Sequence, residues 1–136
     1  MTDSDTLRSH LAALPCATED FPFDSDTLVM KVAGKIFAMT GLDEAAPRVT
    51  LKGDPDDNEA LRAAYPAVQP GHYMNKRHWS TVTLDGTVPA DILCEMISGS
   101  YALVVRGLPR AARLLLESEG ILEADKKEEN VDNNRA

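Results

Sequence analysis

The sequence predicts an α+β fold, an antiparallel sheet backed by helices on one face. Four short segments have strand length and strand composition, a tight turn joins the first two, and segments of helical periodicity stand before, between and after them. The 136 residues suit one domain, and 43% hydrophobic with 26% charged residues is a globular composition, able to bury roughly two-thirds of the unfolded surface.

In chain order, Thr2 to Leu14 places Leu7, Leu11 and Leu14 at helical spacing, with Thr2, Ser4 or Asp5 as caps and Pro15 as the stop. An acidic turn follows from Glu19 to Asp26. Residues 28–32 and 35–39 flank Ala33-Gly34, the pattern of a hairpin with a two-residue turn. Arg48-Val49-Thr50-Leu51-Lys52 alternates polar with apolar, so Val49 and Leu51 face a core and the other three point away. Asp54 caps a short helix that Pro55 starts, acids at 56, 57 and 59 suit the positive end of its dipole, and it ends near Tyr65-Pro66. Pro70 to Arg77 is polar and irregular; His78 to Leu84 is then strand-like as far as the Asp85-Gly86 turn. Pro89 opens a long helical segment striped by Ile92, Leu93, Met96 and Ile97 and carried on by Tyr101, Leu103 and Val104, with Gly99 as its weak point. Pro109 to Glu119 sets Ala111, Leu114 and Leu115 at helical spacing. The domain is read as residues 1–116, and 117–136 as an acidic helix end and flexible tail.

Strand parity puts Lys31, Arg48, Thr50, Lys52, Trp79, Thr81 and Thr83 on the sheet face away from the helices, with Lys76 and Arg77 on the adjoining loop. That surface is basic although the chain carries a net charge of -8, because half of the excess acid lies beyond residue 116. Met1 to Leu14 carries Asp3, Asp5 and Arg8 in place of an apolar signal core, and no uncharged apolar run approaches the ~20 residues that span a bilayer. A cytoplasmic monomer with no membrane partner is expected. Cys16 and Cys94, widely spaced and outside any CxxC, read as reduced, buried structural thiols.

The stretch Pro70-Gly71-His72-Tyr73-Met74-Asn75-Lys76-Arg77-His78-Trp79 concentrates two of the three His, the only Trp, two cations and an amide without any acid. One reading is structural: Trp79 and Tyr73 close an end of the core, Asn75 and Pro-Gly shape the turn, and the cations are solvated. The other is a binding surface, since an aromatic ring beside Lys and Arg suits base stacking with phosphate contact, and equally a small anion. Catalytic patterns find no support. His72 and His78 supply two metal ligands without a third nearby, His78 and Ser80 lack an acid and a GxSxG turn, and no glycine loop of phosphate-binding type occurs.

Leu14-Pro15, Glu19-Asp20-Phe21-Pro22-Phe23, Leu28-Val29-Met30-Lys31-Val32, Gly34-Lys35-Ile36-Phe37-Ala38, Leu51-Lys52, residues 70–82 and Ser100-Tyr101-Ala102-Leu103-Val104 together resemble the MmcQ/YjbR family of small bacterial proteins, over roughly residues 7 to 116. The family pattern has Tyr before His and Asn after Trp where this chain has His72-Tyr73 and Ser80. The resemblance implies a CyaY-like α+β fold, also described as a double-wing DNA-binding arrangement, with no established catalytic activity or cofactor. Its DNA-binding description is an analogy of fold.

The function expected is that of a non-enzymatic nucleic-acid-binding protein, with Lys31, Arg48, Lys52, His72, Tyr73, Asn75, Lys76, Arg77, His78 and Trp79 as candidate contacts. Cations would meet phosphate, and Trp79 or Tyr73 would stack. The alternative is a binding module for a protein partner or a small anionic ligand at the same surface. No catalytic residue, metal or cofactor is assigned. Asp43, Glu44 and Asp85 decide between the two readings, because acids folded over the face would deny it to phosphate.

Overall fold

In the computed structural model, which describes residues 2–42, 46–71 and 74–118, the chain runs α1 (Ser4–Ala12), β1 (Ala17–Asp20), β2 (Thr27–Val32), β3 (Lys35–Gly41), β4 (Arg48–Lys52), α2 (Pro55–Ala64), β5 (Val68–Pro70), β6 (Trp79–Thr83), α3 (Ala90–Arg106) and α4 (Arg110–Ser118). The six strands form one antiparallel sheet in the order β1-β2-β3-β4-β6-β5. This is the α+β class read from the sequence, with two strands more than expected.

The additional strands are the sheet's two edges. Ala17–Asp20 pairs with β2 and takes in the start of the supposed acidic turn; Val68–Pro70 pairs with β6 just before the irregular stretch. Neither has apolar alternation, because an edge strand four or three residues long buries little. Pro70 is tolerated since an edge strand leaves half of its backbone donors outside the ladder.

Local chemistry explains the other boundaries. Asp3 caps α1, its carboxylate accepting from both the backbone N–H and the hydroxyl of Thr6, which displaces Thr2, Ser4 and Asp5 from that role. Cys16 turns the chain from α1 into β1 with φ 58°, and it is exposed there, while Cys94 on α3 is half-buried; the expectation of two buried thiols fails because the first sits in a tight surface turn. Ala33 and Gly34 close the β2–β3 hairpin with φ of 49° and 80°, the two left-handed residues that a hairpin turn needs to match strand twist. Asp54 accepts from the Asp56 N–H and Pro55 follows it into α2, as expected. α3 runs unbroken through Gly99 for 17 residues, carried by its buried stripe.

One core joins Leu7 and Leu11 of α1, the helix-side residues of the sheet (Leu28, Met30, Val32, Val49, Leu51, Val82), and Leu93, Ile97, Tyr101, Val104 and Val105 of α3. A bulge in β3 tightens it. Met30 pairs with Ala38 but Lys31 with Ile36, so Phe37 is the extra residue. The Phe37 carbonyl accepts from Ser100 Oγ at 2.5 Å, and Ser100 Oγ in turn accepts from the Lys52 N–H at 2.8 Å. The Phe37 ring meets Tyr101 edge-on at 5.3 Å, and the Tyr101 hydroxyl donates to the Pro15 carbonyl. Ser100 and Tyr101 thus tie two strands and the turn after α1 to α3.

The opposite face carries the row Val29, Met39, Thr50, Thr81, Gln69 across five strands, flanked by the pair Lys52 and Trp79. The Thr50 and Thr81 hydroxyls bond at 2.8 Å, so the parity read from the sequence is right. The face is less open than expected. Val29 is fully buried and Trp79 is 8% exposed, although neither belongs to the main core. Among the described residues no helix is long and apolar enough to cross a membrane.

Candidate functional site

The segment Asn75–Trp79 enters β6 as a compact turn whose carbonyl oxygens are all taken from within the chain. The Asn75 oxygen accepts from the N–H groups of His78 and Trp79 at 3.1 and 2.9 Å, and the His78 oxygen accepts from Gly53 N–H at 2.7 Å. Arg62 donates to the Lys76 oxygen at 2.6 Å and, with Gly71 N–H, to the Trp79 oxygen at 2.9 Å. Asn58 Nδ2 donates to the Arg77 oxygen at 2.9 Å. The Asn75 side chain adds a turn of its own by accepting from Arg77 N–H at 2.9 Å.

Asn58 and Arg62 stand four residues apart on α2, so one face of that helix reaches the loop twice. Asn58 is 3% exposed and also donates to the Gly53 carbonyl at 3.1 Å, while Arg62 adds bonds to Ser80 Oγ at 3.0 and 3.1 Å. Gly53 is required: a Cβ there would collide with the Asn58 amide. Neither helical residue belongs to the set read from the sequence, since a polar pair on a short helix reads as a solvated face. The usable signal was Asn58 itself, a residue of low helix propensity one turn into a well-capped helix.

With its carbonyls occupied, this turn offers solvent the side chains of Lys76 and Arg77, both exposed, while His78 is half-buried. Lys52, half-buried at the end of β4, lies opposite Trp79 on the same edge. The other candidates separate from this group. Lys31 is paired with Asp20 at 2.8 Å, and that bond holds the Asp20 carboxyl below the usual carboxylate range. Arg48 is exposed at the far end of β4 and engaged in an interaction of its own. Trp79, at 8% exposure, has no free ring face for a base to stack on. His72 and Tyr73 lie outside the described residues, as do Asp43 and Glu44.

Acid lies close by. Asn58 touches the Arg77 backbone, so the first turn of α2, with Asp54, Asp56 and Asp57 exposed, flanks the loop. Asp85 is exposed beyond the opposite end of β6, held below its ordinary pKa by hydrogen bonds from the Thr87 hydroxyl and N–H. Among the described residues no three His, Cys, Asp or Glu side chains converge as a metal site would need.

The profile of the YjbR family matches residues 12–103, from the end of α1 to late α3, the loop and Ser100-Tyr101 included. The chain is 37% identical over 116 residues to the "Uncharacterized protein YjbR" of Escherichia coli strain K12, a match covering 85% of this chain and 98% of that one. It is 32% identical over 106 residues to the "Uncharacterized protein YbdF" of Escherichia coli O157:H7, covering 78% and 87%. Its structure is similar to the crystal structure of the Deinococcus radiodurans protein DR2400, a DUF419 domain, with TM-score 0.81, 46% identity and coverage of 86% and 89%. A Pseudomonas syringae protein structure shares the fold at TM-score 0.65 and 23% identity, over 74% and 97%.

Proposed function

The chain belongs to the YjbR family, and from that premise we propose that it is a non-enzymatic binding protein that takes a polyanion, nucleic acid, on the Asn75–Trp79 turn. One observation carries the proposal: five successive carbonyl oxygens, from Asn75 to Trp79, are satisfied from within the chain while Lys76 and Arg77 project into solvent. A loop built this way turns its negative dipole ends inward and presents cations on a backbone that needs no reordering to meet phosphate. Lys52 supplies a third charge at the same edge.

The contacts are backbone contacts, and a grip of two or three cations beside the acidic turn of α2 is weak and indifferent to sequence. The test is an anisotropy titration of a labelled single strand and a labelled duplex at ~20 mM salt. Binding in the ordinary non-specific range, ~1 to 100 μM, is expected. A flat titration up to ~100 μM would overturn the proposal and leave a protein partner or a small anion as the occupant of this edge.

A further inference from the structure

On the helix side of the sheet, bordering the turn just described through Gly53 and Asn58, α2 and α3 stand apart and leave a groove of about 680 Å³. Leu61, Ile92, Met96 and Leu103 line it, and each is only half-buried by the fold. The first three pack against the core from its edge, so their remaining apolar surface faces the groove. Such a floor gains burial only from something that enters.

Gly99 lies in the same groove. It stands mid-way along α3, where glycine is the least favourable residue short of proline, and a Cβ built on it meets nothing within 4 Å. Among the described residues, no neighbour therefore requires its smallness. What the missing side chain does provide is room for another backbone to approach α3 closely, as small residues do where two helices cross.

The charge around the groove selects the visitor. Asp54 and Asp57 at the start of α2 and Glu95 on α3 line the groove, and all three are exposed. Against them stand Arg106 and Lys52, the latter at the border with the Asn75–Trp79 turn, since Arg62 is committed to the loop. We infer that the α2–α3 groove is the docking site for an amphipathic helix of a partner protein, its apolar face on Leu61, Ile92, Met96 and Leu103 and its flanking Lys or Arg residues against the acids of both helices. Apolar anchors at helical spacing give the affinity and the acidic rim gives the choice of partner.

The probe is a pair of labelled 14-residue helical peptides, one of Leu and Lys and one of Leu and Glu in the same amphipathic pattern, titrated with the full chain at ~150 mM salt. The Lys peptide is expected to bind at least tenfold more tightly than the Glu peptide. Gly99→Leu fills the groove without altering its charge; it should weaken the Lys peptide at least tenfold while the midpoint of thermal unfolding stays level or rises. Equal binding of the two peptides, or an unchanged affinity in Gly99→Leu, would reduce the effect to general stickiness and overturn the assignment. So would a dimer of the free chain that Gly99→Leu dissociates, because a second copy would then be the occupant.

Discussion

Replacing Arg62 by Ala strips donors from the carbonyls of Lys76 and Trp79 and from Ser80 Oγ at once, and the expected loss is about 2 kcal/mol in denaturant unfolding. Arg62→Lys should recover part of it, because an ammonium is a point donor and cannot span acceptors that the guanidinium reaches together. A loss under ~0.5 kcal/mol in Arg62→Ala would mean that water replaces the clamp. Trp79→Ala is expected to cost ~3 to 5 kcal/mol, and a loss below ~1 kcal/mol would contradict a structural role for its buried ring. The burial of Trp79 was legible in the sequence, since a lone Trp beside Val82 and Leu84 on a short strand suits a small core. The clamp was not, because nothing in a linear sequence says that the polar face of α2 will meet a loop that begins more than ten residues later.

At the scale of elements, the hairpin carries a correctable flaw. Ala33 holds φ of 49°, a conformation that Asn adopts more readily than Ala, so Ala33→Asn should stabilise the fold by about 0.5–1 kcal/mol, read as a higher denaturant midpoint at unchanged slope. A lower midpoint would mean that Asn cannot take that backbone here. Edge strand β1 depends on charge. Glu19 is held below its ordinary pKa chiefly by the Arg8 hydrogen bond, and Asp20 chiefly by the Lys31 hydrogen bond. Carboxyls that release protons more readily folded than unfolded stabilise the fold above their unfolded range, near pH 4, and that contribution is lost as the pH falls through their folded values. Backbone NMR shifts of residues 17–20 should therefore move towards unpaired values only as the pH falls below about 4, while those of β3 and β4 hold; shifts in step across the sheet would contradict a local edge effect. The inner strands β2, β3 and β4 were legible because apolar periodicity records burial, and β6 because β-branched residues crowd it. β1 and β5 were not, since an edge strand is recorded mainly in its partner's hydrogen bonds.

For the whole molecule, a net charge of -8 and a polyanion partner are compatible only if the cations act locally and the rest of the surface repels, which makes binding weak and steeply sensitive to salt. The basic face read from the sequence shrinks in three dimensions to one edge: Lys31 is neutralised by Asp20, Arg48 stands at the other end of β4, and Lys52, Lys76 and Arg77 remain together. Residue spacing shows which cations share a strand face and is silent on which of them find a carboxylate across the sheet. The most direct measurement is the slope of log affinity against log salt for a labelled duplex, taken on the parent chain and on Lys76→Ala/Arg77→Ala. Three phosphate contacts give a slope of about -2.7, and the double variant, folded because both side chains are exposed, should fall to about -0.9. An unchanged slope would contradict the account, because the cations of the Asn75–Trp79 turn would then not be the groups that meet phosphate.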